Sequence, residues 1–399
     1  MIWRLGAGPC SQFSPGRLPT ALLLEMCFRA NPGYELVLRE QFVDVDGAAL
    51  QIPAPNEPLY GYLRPTPSSS LACRQISPET ALLFHTLRHA GPVPAYFRSS
   101  FGRSTETCLL RLVVDGVLEV AHEGTFVSGP RARELLIGDE AYSGKGPIAA
   151  LSIEALRYVE ALGDLTVQEM TARLYGFGRR PVTSAQKRAF PDAEMNRLSG
   201  FLRPAPSALD TYWARSQSAN PYWTMWRPTW NNDDGEPARF KLYISPGLSD
   251  IAETFRASAE LLGQSAGVRG MKLGRGLPGL TRPDKLVAYF SRMDDLQETG
   301  LRLHRQLEGC AVHGVSFTAE LSPNGLLSWG ADPPRTASSR PGSWRLWLAG
   351  KLAAHFETAR RSNVPGPLWR FVLDRLRLDG VNPDTWAPDA DLWPPAVAT

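Results

Sequence analysis

Lys241, Tyr243, Lys272, Arg275, Arg282, Lys285 and His313 are of the types that take up protons or hold phosphate, and they lie on or beside apolar runs and one glycine-rich loop. Lys241 and Tyr243 alternate with Phe240, Leu242 and Ile244, and period-two alternation puts the lysine and the tyrosine on one strand face. Lys272, in the next apolar run, is able to join that face from a neighbouring strand. A lysine on a partly buried sheet beside other cations loses proton affinity through desolvation and repulsion, and it can then act as a general base. The plainer reading is an exposed sheet face decorated with lysines.

Gly274-Arg275-Gly276-Leu277-Pro278-Gly279 matches G-x-G-x-x-G by letter. Pro278 and Pro283 should prevent a helix from starting there, which removes the dinucleotide-binding reading. Glycines let backbone N–H groups converge on an anion. Arg275, Arg282 and Lys285 supply cations around the same loop, and arginines grip phosphate through two hydrogen bonds. A hairpin loop with solvated cations is the alternative. His313, in Val-His-Gly-Val-Ser-Phe near Glu320, is either a proton donor to a leaving group or a structural histidine at a strand start. Trp223, Trp226 and Trp230 lie in Tyr222–Trp230, read either as a substrate-facing wall or as core packing of a connector, with a turn at 231–235.

Other chemistry is weakly represented. His85 and His89 are one helical turn apart, but no third ligand is apparent, so neither a metal nor a cofactor is expected. There is no G-x-S-x-G, H-E-x-x-H, P-loop or kinase motif set. The five cysteines (Cys10, Cys27, Cys73, Cys108, Cys310) are scattered without a C-x-x-C pair, which fits a reducing, cytoplasmic setting. A formal charge of +3 over 399 residues provides no global field for nucleic acid. No apolar run is long enough to span a bilayer, and Glu25 and Arg29 interrupt Leu22-Leu23-Leu24, which argues against a signal peptide.

The elements that must position these residues follow from periodicity. Residues 34–53 read as short strands with a turn at Asp46-Gly47. Two G-aromatic-L-R-P-x-P-S segments, at 61–68 and 200–207, read as extended connectors. Ser77-Pro78 starts a helix whose buried face is Leu82, Leu83, Phe84 and Leu87. Short helices at about 94–101 and 105–114 and a hairpin around Glu123-Gly124 complete a winged-helix-like module. Its candidate recognition helix is weakly basic, so peptide recognition competes with DNA binding. Amphipathic helices cover 152–175, and a basic loop covers 176–191. Strands at 239–245, 268–274, 285–291 and 314–321 with helices at 249–263 and 294–308 give β-α-β-β-α-β, the split βαβ order. Helices at 343–361 and 366–378 follow. The fold class expected is α+β, with segments 1–70, 71–200 (winged-helix-like and helical), 208–378 (the sheet domain) and a surface tail from 379.

The motifs Lys241-x-Tyr243-Ile-Ser245, Arg282-Pro-Asp284-Lys285-Leu-Val-x-Tyr289, His313-Gly314-Val-x-Phe and Ser328-Trp329-Gly330 resemble the Hop-A-type type III effector domain over residues 220–334. Related domains occur in gene clusters for ribosomally made peptides, including class V lanthipeptides and thioamitides. There they are regarded as lyases that work with a separate kinase and eliminate phosphate from phosphoserine or phosphothreonine. The family pattern places an arginine shortly after S-[WF]-G, whereas here Arg335 stands five residues after Gly330, past two prolines.

The resemblance implies a lyase acting on a precursor peptide, with a kinase as partner; the charge, the apolar runs and the ligand spacing leave nucleic acid, membrane and metal out of the expectation. The residues suit that chemistry, which needs a base, a stabiliser for the developing enolate and cations for phosphate. Lys241 is the expected base and Lys272 the runner-up. Arg275, Arg282 and Lys285 would hold phosphate, His313 or Tyr243 would assist the leaving group, and the tryptophans would embrace the peptide. A non-catalytic leader-peptide binder that presents the precursor to a kinase and lyase is the main alternative, with the upstream module binding by strand addition. A winged-helix regulator is a third reading, disfavoured by the weakly charged helix.

Overall fold

A computed structural model describes residues 20–38, 50–51, 60–69, 71, 73–102, 105–137, 142, 144–189, 208–216, 222–230, 237–333, 343–361 and 366–388. The fold is α+β, in two compact units that divide after Tyr142, with residues 360–366 grouping with the first.

The first unit runs α1 (Thr20–Glu25), β1 (Phe28–Ala30), β2 (Tyr34–Leu38), β3 (Leu50–Gln51), β4 (Gly61–Pro65), β5 (Arg74–Ile76), α2 (Pro78–Thr86), α3 (Ala95–Phe101), α4 (Thr105–Val114), β6 (Leu118–His122), β7 (Thr125–Val127) and α5 (Gly129–Leu136). Ser77 caps α2 by accepting from the Thr80 N–H, and Pro78 occupies the first turn, where its missing N–H costs nothing. Leu82 is 51% exposed and faces away from the buried Leu83 and Phe84, contrary to expectation. Glu123 and Gly124 both take positive φ, which suits the tight β6–β7 hairpin, and β1 adds a third strand against β6. Gly61–Leu63, read as part of a connector, are instead strand residues. They pair with β2 and β5, and a Cβ on Gly61 would meet the Val37 carbonyl at 2.5 Å. Asp46-Gly47 and the 200–207 segment lie outside the described residues.

The second unit contains α6 (Pro147–Ala161), α7 (Val167–Gly176), α8 (Ser184–Ala189), α9 (Ala208–Tyr212), β8 (Trp213–Ser216), β9 (Trp223–Pro228), β10 (Phe240–Ile244), α10 (Ile251–Gly263), β11 (Val268–Gly274), α11 (Gly276–Leu280), β12 (Leu286–Phe290), α12 (Met293–Gln306), β13 (Ala319–Glu320), β14 (Leu327–Ala331), α13 (Trp344–Arg361) and α14 (Leu368–Leu378). The division falls well before the boundary expected near 200, because α6 and α7 pack with the sheet unit. Ser152 on α6 accepts from the Phe317 N–H, and Glu160 accepts from the Leu368 N–H at the start of α14.

Seven strands form one antiparallel sheet in the order β13-β14-β10-β12-β11-β9-β8. The central four, β14-β10-β12-β11, have the split βαβ arrangement. Its last strand is β14, with only Ala319–Glu320 remaining of the strand expected at 314–321. Gly314 and Phe317 take positive φ there and interrupt the extended run. Leu242, Ile244, Met271, Leu286, Ala288 and Phe290 form one sheet face, and Phe255 on α10 and Leu296 and Leu303 on α12 bury it. By alternation, the opposite face carries Lys241, Tyr243, Lys272, Val287 and Tyr289.

Candidate active site

On this second face, Lys241 lies opposite Tyr289 across β10–β12, and Lys272 lies opposite Val287 across β11–β12. Both ammonium groups approach the Tyr289 ring, at 5.8 Å for Lys241 and 5.6 Å for Lys272. The aromatic segment is strand β9, and its Trp223 is paired with Gly274 of β11. The Trp223 ring carries the Lys272 ammonium at 4.2 Å and the Arg282 guanidinium at 5.0 Å. A lysine from β11 and an arginine from the β11–β12 connection thus share one indole.

The two lysines differ in their partners. Lys241 forms an ion pair with Asp332, which follows β14 and also accepts from the Trp344 N–H at 3.3 Å. Gly330 gives this corner its room, since a Cβ there would strike the Trp344 indole at 2.3 Å. Lys272 meets aromatic rings, and among the described residues no carboxylate or carbonyl hydrogen-bonds to it. Burial pulls its pKa down to about 8, with the charges of Lys241 and Arg282 helping and Asp284 opposing.

A buried ion cluster supports the arginine. Arg282 donates to both carboxylate oxygens of Asp284, at 2.8 and 3.0 Å, and to the Tyr175 hydroxyl at 3.2 Å. Arg345, 1% exposed, reaches Asp284 at 3.0 Å and donates to the carbonyls of Ser316 and Tyr175. Burial alone would favour a neutral Asp284, but Arg345 and Arg282 outweigh it and hold its pKa at about 2. Burial likewise works against the Arg282 charge, and the Asp284 hydrogen bonds more than restore it. Tyr243 and Tyr289 are desolvated, which raises both phenol pKa values and keeps their protons on.

Four of the other expected site residues are placed elsewhere. Lys285 is 1% exposed and donates to the Pro246 carbonyl and to His313 Nδ1, each at 2.7 Å. His313 in turn donates from Nε2 to the Gly178 carbonyl at 2.6 Å. This fixes a neutral Nε2–H tautomer, and burial and Lys285 hold the imidazole pKa down at about 4. His313 therefore has no proton free for a leaving group, and Lys285 has no open face for phosphate. Trp226 points to the helix-covered face, 5.4 Å from the Phe255 ring, and Trp230 donates to the Gly263 carbonyl at the end of α10.

The glycine loop also differs from expectation. A single helical turn, α11, does form at Gly276–Leu280, with Pro278 inside its first turn, where N–H groups have no helical partner. A Cβ on Gly274 would meet the Gly279 carbonyl at 2.4 Å, so these glycines permit close backbone contact. The N–H groups of Gly274 and Arg275 are already committed to the carbonyls of Lys285 and Tyr222, and the Arg275 side chain is exposed. The glycines of this loop therefore serve packing, and two of its N–H groups are already spent on neighbouring carbonyls.

Tyr175, Asp332 and Arg345 were not foreseen as site residues. Tyr175 ends an amphipathic helix and gives no local signal. Arg345 had one, being a lone cation in Trp-Arg-Leu-Trp-Leu. Arg335 lies outside the described residues. Among the described residues, no group of three or more His, Cys, Asp or Glu side chains gathers where a metal could sit, and no helix is long and apolar enough to cross a membrane.

No protein-family model and no curated protein matches the chain. Among solved structures, it is similar to an effector protein from Pseudomonas syringae pv. tomato strain DC3000, with 16% identity over 60% of this chain and 98% of that one, at a TM-score of 0.36. An effector protein from Pseudomonas syringae pv. syringae strain 61 gives 16% identity over 62% and 99%, at a TM-score of 0.38. The type III effector and phosphothreonine lyase OspF from Shigella flexneri gives 11% identity over 35% and 89%, at a TM-score of 0.27. These scores mark loose backbone correspondence, and the chemistry of the site rests on the side chains of this chain.

Proposed function

We propose that the second unit is a phosphoserine/phosphothreonine lyase that eliminates phosphate from a peptide. One observation carries this reading: a lysine with lowered proton affinity and no anionic partner, Lys272, shares the Trp223 ring with a cation suited to phosphate, Arg282. The neutral Lys272 amine takes the Cα proton. The electron pair forms the Cα–Cβ double bond, and the Cβ–O bond breaks to release phosphate. Arg282 and the Lys241 ammonium neutralise the phosphate, and the protonated Tyr243 phenol supplies a hydrogen bond to developing charge. This assignment reverses the expected order of the lysines, because Asp332 holds Lys241 as a cation partner.

The motif resemblance supports a ribosomally made precursor as the peptide and a separate kinase as the source of its phosphate, and the scattered cysteines support a cytoplasmic setting. Incubating the protein with a phosphothreonine precursor peptide and following its mass tests the reading. Loss of one phosphoric acid, abolished in Lys272→Arg, establishes the lyase. A non-catalytic phosphopeptide scaffold is the second reading. It is favoured by the carboxylates that already engage Lys241 and Arg282, and binding without mass change would select it.

A further inference from the structure

The 177–182 loop is pinned at two points, the second of them next to Arg282 in sequence. The Gly178 carbonyl accepts from His313, and the Arg180 N–H donates to the Thr281 carbonyl at 3.1 Å. Between this loop and α11 lies an open groove of about 290 Å³, lined by Arg179, Arg180, Pro181, Val182, Pro278 and Thr281. Both arginine side chains are exposed, and among the described residues neither meets a carboxylate. They differ in this from Arg282 and Arg345, which are locked onto Asp284. The charge of Arg180 is felt behind the groove, where it adds to the depression of the Lys285 and His313 pKa values.

We propose that this groove is a subsite for a carboxylate side chain of the peptide substrate, flanking the phosphorylated residue. The proposal rests on the lyase reading for its substrate. Two guanidinium groups beside proline and valine suit a carboxylate, since each can offer it paired N–H donors. The groove begins one residue from Arg282, because Thr281 lines it. An arginine side chain and one Cα–Cα step span roughly 10 Å, and an extended peptide covers that distance in about three residues. The favoured acid therefore stands about three residues from the phosphorylated one.

The test uses the full chain and phosphothreonine peptides that carry Glu or Gln three residues from the phosphate, on either side. A control peptide carries Glu about ten residues away. Binding is read by fluorescence anisotropy on Lys272→Arg protein, and elimination by mass on the parent protein. On one side of the phosphate, Glu should bind about fivefold tighter than Gln, as expected for a partly exposed charge pair. Arg179→Gln/Arg180→Gln should erase that gain and leave the Gln peptide unaffected. Equal binding of Glu and Gln peptides, a preference surviving in the double variant, or an equal gain from the distant Glu would overturn the subsite. Elimination without a Glu preference removes the subsite alone. A Glu preference erased by the double variant, without elimination from any peptide, removes the lyase reading and leaves the subsite standing.

Discussion

Lys272→Arg keeps a cation over the Trp223 ring but removes the group that can give up its proton. Burial lowers the Lys272 pKa from an ordinary 10.5 to about 8. At pH 7 it leaves roughly a tenth of the lysine as free amine, about 300 times more than an unshifted lysine would provide. A guanidinium is never deprotonated under these conditions. Elimination should therefore fall about 10³-fold in kcat, within the range for loss of a general base, while phosphopeptide affinity changes little. In the parent protein, kcat/KM should rise with pH and level off near pH 8, since it reports the free enzyme. The series belongs above about pH 6.5, where the phosphate is mostly dianionic. Continuous absorbance of the dehydroamino acid product, checked by mass, follows the rate. A profile that is flat from pH 6.5 to 9, or a Lys272→Arg protein that retains its rate, would refute the base assignment.

Other outcomes follow from the same geometry. Asp284→Asn strips the counter-charge from Arg282 and Arg345 and should cost about 3–5 kcal/mol in denaturant unfolding. Because its folded pKa is depressed to about 2, the contribution of Asp284 is present above about pH 4 and lost as pH falls from there. His313 should remain neutral with Nε2 protonated at pH 6, read from imidazole nitrogen shifts, and its contribution to stability should fade between pH 6.5 and about 4. Trp226→Ala should cost about 3–5 kcal/mol of stability as a buried aromatic deletion. Trp223→Leu should instead lower kcat/KM and raise the kcat/KM pKa, because the ring no longer shields Lys272, with a much smaller change in melting temperature.

Elements with a local cause were legible in the sequence. The Ser77-Pro78 cap, the Glu123-Gly124 hairpin and β10, α10, β11, β12 and α12 all lie close to where periodicity and turn chemistry put them. β14 was not legible as a strand, because its Leu-Ser-Trp-Gly-Ala run is short and contains glycine. α6 and α7 read correctly as helices, whereas α8 stands within a stretch read as a basic loop and α5 was not foreseen. The membership of α6 in the sheet unit depends on contacts such as Ser152 to Phe317, which no local pattern encodes.

The candidate site divides along the same line. Alternation in Phe-Lys-Leu-Tyr-Ile, with the matching run at Lys272, determined by itself that one sheet face would carry lysines and a tyrosine, because strand geometry sends every second side chain to the same side. Which lysine is free was decided only by the tertiary structure. Asp332 arrives from 91 residues away to hold Lys241, and Trp223 and Tyr289 desolvate Lys272 without neutralising it. His313 and Lys285 look like chemistry in one dimension, and in three they fasten a loop. Residue type is written in the chain, but proton affinity depends on burial and on neighbouring charge, and both are set by segments that meet only when the protein folds.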